Sequence, residues 1–120
     1  NGHIGHGAVL HGCRIGTDAL VGMNAVVMDN ARIGARSFVS AAAFVKAGFE
    51  CPEQSLVMGT PASVKRSLSD EEVHWKQTGT REYQRLAQRC LEQMQECAPL
   101  SAPEADRPRI SDSGLRPKGR

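Results

Sequence analysis

Aliphatic residues recur with a period of six over the first 48 residues of the chain. The positions are Ile4, Leu10, Ile15, Val21, Val27, Ile33, Val39 and Val45. From Ile15 onward every step is six residues, whereas the step from Leu10 to Ile15 is five. An α-helix would repeat near 3.6 residues and a half-buried strand at two. A six-residue period with glycine and small residues in fixed phase instead predicts hexapeptide repeats, which build parallel β-helices.

The geometry of such a repeat explains its residue types. Each hexad supplies one short face and one corner, so that three hexads close a coil of about 18 residues, with neighbouring coils about 4.8 Å apart. The aliphatic residue points into a narrow interior. Glycine lets the backbone turn without a Cβ clash. Aromatic residues make up only 4% of the chain, which agrees with an interior that has no room for many of them. We therefore predict a mainly β fold.

The regular period stops after Gly48. Residues 49–59 depart from it, and residues 56–58 predict one last strand, so that the coils extend over residues 1–60. Proline fixes φ and offers no N–H to a neighbouring strand. For this reason residues 59–62, with the sequence Gly-Thr-Pro-Ala, predict a turn that ends the coil. We expect residues 61–68 to be a connector.

A helical segment is predicted over residues 69–97. Ser69 and Glu72 form a capping box, which satisfies two backbone donors at a helix start, and Gly79 predicts a break or kink. An apolar stripe at helical spacing should pack against the coil wall of the same or a neighbouring chain. The stripe consists of Tyr83, Leu86, Ala87, Cys90, Leu91, Met94 and Cys97. Residues 98–120 are rich in proline and charge and predict a flexible, disordered tail.

Composition narrows the classes of function. The net charge is +2 with both signs mixed along the chain, which gives no case for nucleic-acid or membrane-surface binding. No apolar run approaches the about 18 residues of a membrane span. The four cysteines are widely spread without a C-x-x-C motif, which favours reduced thiols in a cytoplasmic protein. Because the repeat starts without a preceding cap, we expect the chain to be the carboxyl-terminal part of a longer protein, truncated at its amino end.

His6 and His11 are the candidate site residues. His11 follows Leu10 in a slot where four other hexads place glycine, next to the five-residue step. Such departures from a local rule tend to mark functional sites. The alternative on spacing alone is that both histidines are solvent-facing turn residues. Five residues apart, they should lie on different sides of a corner, so one chain should not bring both to one metal, whereas neighbouring copies in a trimer could.

Other residues were weaker candidates for a site. A catalytic zinc takes three protein ligands and keeps one position open for water, so a third ligand would be needed upstream of Asn1. His3, at the start of the chain, is an alternative stand-in ligand. We interpret Tyr83 mainly as the first residue of the apolar stripe. Its phenol could alternatively reach a groove and serve in catalysis. The chain shows neither a serine nucleophile elbow nor a phosphate-cradling loop.

Several segments resemble the γ-class carbonic anhydrase-like hexapeptide proteins. Residues 1–13 and 19–29 carry the resemblance most clearly. Shorter matches lie at residues 59–62, 75–76, 79–84 and 115–118. Within that family, the chain is most similar to the phenylacetic acid degradation proteins of the PaaY type, and their near relatives in carnitine metabolism, of the CaiE type, come second.

The resemblance implies a left-handed β-helix, a homotrimer and a divalent metal, zinc or another such as iron or cobalt, held by three histidines at the subunit interface. Two of these ligands correspond to His6 and His11, and the third would lie upstream of Asn1. The metal would activate a water molecule at neutral pH. The substrate would then be a CoA thioester in phenylacetate degradation, or CO2 as in the carbonic anhydrases.

Two alternatives stay open beside this metal-dependent activity. Many hexapeptide-repeat proteins are CoA-dependent acyl- or acetyltransferases that use a histidine as general base, a role that His11 would take here. The chain could also be a non-catalytic trimeric scaffold, since a fold alone does not fix a function.

Overall fold

The computed structural model describes residues 1–106. The predicted tail therefore lies mostly outside the described residues, as does the matching segment 115–118. The chain divides into one unit of residues 1–82 and a second that begins at Tyr83. The elements are β1 (His3–Ile4), β2 (Val9–Leu10), β3 (Arg14–Ile15), β4 (Leu20–Val21), β5 (Val26–Val27), β6 (Arg32–Ile33), β7 (Phe38–Val39), β8 (Phe44–Val45), β9 (Ser55–Gly59), β10 (Ala62–Ser67) and α1 (Asp70–Gln93).

The short strands form the three faces of a parallel β-solenoid of about three turns. Face 1 consists of β1, β4, β7 and β9, face 2 of β2, β5 and β8, and face 3 of β3 and β6. All of these neighbours pair in parallel. The predicted parallel β-helix is confirmed, and so is the last strand expected at residues 56–58.

The five-residue step changes the register between the first two coils. His3 pairs with Leu20, 17 residues later. In the following coil, Leu20 pairs with Phe38, 18 residues later. Strands β2 and β5 show the same 17-residue offset, whereas β3 and β6, which follow the short step, are offset by 18. The first coil is therefore one residue short at the corner between β2 and β3.

The interior of the solenoid is lined by aliphatic residues that the period predicted, although Ile4 and Leu10 of the first coil are 45% and 40% exposed. The fully buried residues, each at most 1% exposed, are the periodic Val21, Val27, Val39 and Val45, together with Val57 of β9. Burying a valine side chain contributes about 1.5 to 3 kcal/mol relative to leaving it exposed. Close approach of the coils also requires glycine, because a Cβ on Gly22 would lie 2.4 Å from the backbone nitrogen of Ala41.

The coils end in an antiparallel hairpin. The segment predicted as a connector instead forms β10, which pairs with β9 across a turn at Thr60 and Pro61. The reason is that β9 pairs with β7 on one side only, which leaves backbone donors and acceptors on its other edge. The returning chain satisfies them.

The helix begins where the capping box predicted. Ser69 N–H donates to Glu72 Oε2 at 3.0 Å, and Glu72 N–H donates to Ser69 Oγ at 3.2 Å. Of the break or kink predicted at Gly79, the break is wrong, since α1 runs without interruption to Gln93. A glycine inside a helix costs about 1 kcal/mol, and burial of Val73 on this helix can offset such an amount.

The first part of α1 covers the outward side of face 1. Leu20, Phe38 and Leu56 lie in register there, and they pack with Leu68 and Val73. In the unit of residues 1–82, the helix therefore packs on the coils through Val73, which lies outside the predicted stripe. In the unit that begins at Tyr83, the large apolar residues of the stripe are exposed. They are Tyr83, Leu86, Leu91 and Met94.

Candidate functional site

The three columns of corners differ in the residue that follows each strand. After β1, β4 and β7 of face 1 this residue is Gly5, Gly22 or Ser40, and after β3 and β6 of face 3 it is Gly16 or Gly34. After the strands of face 2 it is His11, Met28 or Lys46. We call this last column the second corner. His11 thus occupies a column that holds long side chains in every coil, which the linear glycine pattern did not reveal.

The shortened coil brings a carboxylate close to the second corner. Three residues separate β2 from β3, whereas four separate β5 from β6 in the coil below. Gly12 lies in the shorter corner with a φ of 61°. A Cβ on it would lie 2.7 Å from Oδ1 of Asp29. The Asp29 side chain therefore fills space that only a glycine at position 12 leaves open.

His11 contacts this carboxylate directly. Its Nδ1 lies 3.0 Å from Asp29 Oδ1, and the two side chains are 68% and 47% exposed. An ionised carboxylate can only accept a hydrogen bond, so Nδ1 of His11 donates, and in the neutral imidazole Nε2 is then the nitrogen with the lone pair. Sequence reasoning missed Asp29 as a site residue. The 17-residue register of the first coil, which follows from the five-residue step, was the signal that could have located it.

His6 lies at the other end of the same face. It is exposed on the corner that precedes β2, and its carbonyl oxygen accepts a hydrogen bond from Asn24 N–H at 2.9 Å. The strand Val9–Leu10 separates it from His11. One chain therefore places the two histidines on different corners, with a strand between them, and not on two sides of one corner as the spacing predicted. Within residues 1–106, no group of three or more histidine, cysteine or acidic side chains is arranged to hold a metal ion.

The remaining sequence candidates lie elsewhere. His3 is on face 1, in register with Leu20, and its pKa is lowered by burial first and then by the charges of Lys76 and His6. Tyr83 belongs to the second unit and is 58% exposed. Its assignment to catalysis stays a prediction.

A buried lysine fastens α1 to the first coil. The side chain of Lys76 is 1% exposed and its Nζ lies 3.6 Å from Asp18 Oδ1. The same Nζ donates to the carbonyl oxygen of Asn1 at 2.7 Å. Burial lowers the pKa of Lys76, and the carboxylate of Asp18 opposes that change. Sequence reasoning did not identify this contact, because the three residues are far apart along the chain.

The outward sides of the three faces have different characters. Face 1 is apolar and covered by α1, whereas face 3 carries charged side chains such as Arg32 and Glu50, which pair at 3.3 Å. Face 2 presents Val9, Val26 and Phe44 in register, and Val9 is 51% exposed. Val26 and Phe44 are half-buried, and the strands of this face lie between the two candidate histidines.

Comparison with known proteins gives relatives at both sequence and structure level. The chain is 53% identical over 120 residues to the carnitine operon protein CaiE of a Proteus strain, a match that covers 99% of this chain and 61% of that protein. A hexapeptide transferase family protein from Anaplasma phagocytophilum has a TM-score of 0.70 and 32% identity, over 72% of this chain and 52% of that one. No family model matches the sequence.

A third relative carries a ligand in its solved structure. A hexapeptide-repeat acetyltransferase from Vibrio cholerae, solved with acetyl coenzyme A, has a TM-score of 0.51 and 29% identity, over 57% of this chain and 48% of that one. These solved neighbours are hexapeptide-repeat proteins. The repeat interpretation therefore agrees with them. The name of the carnitine operon relative agrees with the second of the two groups that the sequence resembles.

The chain spans about three-fifths of the length of that carnitine operon relative. Among the residues described, no helix combines the length and the apolar character that a membrane span requires.

Proposed function

We propose that the full-length protein is a trimeric, metal-dependent hexapeptide-repeat enzyme in which His6 and His11 of neighbouring copies bind one divalent cation. The observation that carries this proposal is the position of the two imidazoles at opposite ends of face 2, an apolar face on which Val9 is exposed. A contact between unlike patches closes into a ring when copies are related by a threefold axis. Such a ring joins the His6 end of one copy to the His11 end of the next.

The residues present fit a zinc-type ion. His11 gives its Nδ1–H to Asp29, the arrangement that metal-binding histidines usually have, and its Nε2 is free to coordinate. A catalytic zinc site has three protein ligands, so the proposal includes a third ligand in the part of the protein that precedes Asn1. A bound divalent metal would lower the pKa of water and allow hydrolysis or hydration near neutral pH.

The proposed reaction is hydrolysis of a CoA thioester, with phenylacetate degradation as the metabolic setting, and CO2 hydration is the other reaction of this class. The acetyl coenzyme A in the solved neighbour supports a CoA-linked substrate. In either reaction, the contribution of this chain is to hold His11 in one orientation and to place His6 on a fixed corner. We include a cytoplasmic location in the proposal, since the four cysteines of the described residues are free.

A second candidate function is CoA-dependent acyl transfer, favoured by the names of the solved neighbours and by the contact between His11 and Asp29. An imidazole oriented by a carboxylate is a general base that can deprotonate an acceptor amine or hydroxyl. No metal is needed for this activity. A non-catalytic scaffold is the third candidate, and loss of activity on substitution of His11 would exclude it.

The experiment is a metal and activity assay on the full-length protein. Metal content, chelator sensitivity and hydrolysis of a panel of aryl-CoA and acyl-CoA esters are compared for the native protein, His6→Ala and His11→Ala. The exposed His74→Ala on α1 is the matched control. We expect a bound metal that both site variants lose and the control keeps. A native protein without metal would overturn the proposal, and chelator-insensitive activity that requires an acceptor would favour acyl transfer.

A further inference from the structure

We infer that Asp29 is the positioning residue of the site: it fixes the imidazole of His11 in the orientation that presents Nε2 outward. This inference rests on the proposed function for its purpose, since both a metal ligand and a general base need that nitrogen free. The two residues are 18 positions apart and lie on successive coils. Only the stacking of the coils brings them together.

The backbone holds both residues in place. His11 N–H donates to the carbonyl oxygen of Val27 at 2.9 Å, and Gly48 N–H donates to the carbonyl oxygen of Asp29 at 2.8 Å. Both segments are therefore fixed by the coil below. With both backbones fixed, the contact between the side chains depends only on the rotamers of His11 and Asp29.

The short corner is what admits the carboxylate. Asn30 N–H donates to the carbonyl oxygen of Gly12 at 2.8 Å, so the two corners stay in register although the upper one lacks a residue. Asp29 Oδ1 lies close to Gly12 and faces His11 Nδ1. The orientation of the His11 imidazole thus depends on three features together: the five-residue step, the glycine with positive φ and the carboxylate.

The exposure of the pair points to orientation rather than to stability. Ion pairs and hydrogen bonds between exposed side chains contribute little to folding, and the His11 side chain is 68% exposed. Replacing Asp29 should therefore leave the solenoid folded. The consequence should appear at the ring of His11, where an amide in place of the carboxylate can donate to Nδ1 and stabilise the wrong tautomer.

The test compares Asp29→Asn with Glu50→Gln in the full-length protein. Glu50 is an exposed carboxylate in an ion pair with Arg32 on face 3, so its substitution is a matched control. The first readout is the tautomer of His11 in metal-free protein, from the 15N shifts of its ring nitrogens. The second is the dissociation constant for Zn²⁺ added alone. Thermal unfolding verifies that each variant is folded.

We expect Asp29→Asn to move His11 towards the tautomer with its proton on Nε2 and to weaken Zn²⁺ binding about 10- to 100-fold, as for other carboxylates behind metal-binding histidines. Glu50→Gln should change neither readout. An unchanged tautomer in Asp29→Asn would overturn the inference, and if His11→Ala then still abolishes Zn²⁺ binding, the proposed function stands without it. A switched tautomer in a protein that binds no Zn²⁺ would support the inference and overturn the metal proposal.

Discussion

Gly12 and Gly48 offer a matched pair of substitutions at the second corner. Both have positive φ, 61° and 70°, and the same column holds Asn30 between them. A Cβ on Gly48 would meet nothing within 4 Å, whereas a Cβ on Gly12 would lie 2.7 Å from Asp29 Oδ1. Alanine at either position should therefore have the same backbone cost. Only alanine at position 12 should displace the carboxylate.

The magnitude follows from these two terms. The left-handed conformation costs an L-residue about 1 to 2 kcal/mol, and replacing glycine restricts the unfolded chain, which returns about 0.4 to 1 kcal/mol. Both variants should therefore lose about 1 kcal/mol of unfolding free energy. Gly12→Ala additionally loses the contact between Asp29 and His11, which for an exposed pair adds about 0 to 1 kcal/mol. The two variants should differ little in stability but clearly at His11.

Urea unfolding followed by circular dichroism measures the first quantity, and 15N shifts of the His11 ring measure the second. We expect the ring shifts to change in Gly12→Ala and to stay native in Gly48→Ala. The reasoning would be refuted if His11 kept its native ring shifts in Gly12→Ala, because the carboxylate would then tolerate a Cβ beside it. It would equally fail if both variants perturbed the ring to the same extent.

Three further predictions concern the scaffold. Val27→Ala removes two buried methyl groups and should lower the unfolding free energy in urea by about 2 to 3 kcal/mol. Val26→Ala, on the outward side of the same strand, should lower it by less than about 1 kcal/mol. Equal losses in the two variants would contradict the inward assignment of Val27. Lys76→Met removes the ammonium that contacts Asp18 Oδ1 and the carbonyl oxygen of Asn1, and it should cost about 1 to 3 kcal/mol. Hydrogen exchange in the first turns of α1 should become faster, unlike in the exposed Lys65→Met. The pKa of His3 is lowered in the folded state, so the unfolded chain binds more protons at this residue and stability should fall as the pH drops below about 6.5. The unfolding free energy measured between about pH 7 and 5 should fall less steeply in His3→Gln than in the native protein. An unchanged slope would refute this assignment.

The solenoid follows from the order of residues alone. A six-residue period requires only that each hexad repeat its neighbour, so the period is enough to place Val21 and Val27 inside. The capping box at Ser69 is equally local, since its hydrogen bonds join residues three apart. The sequence also separated His6 from His11 within one coil, although it assigned them to two sides of one corner and the structure places a strand between them.

Tertiary structure decided what depends on stacking. Whether the position after a strand must be glycine depends on which of the three corners it occupies. The linear six-residue pattern does not distinguish the three corners and therefore does not show this dependence. The contact of Asp29 with His11 depends on the register between coils. That register is set by the number of residues in a full turn, so one missing residue shifts it. The continuity of α1 through Gly79 and the burial of Lys76 likewise arise from docking on face 1, because the free energy of packing there outweighs the local preference of the helix sequence.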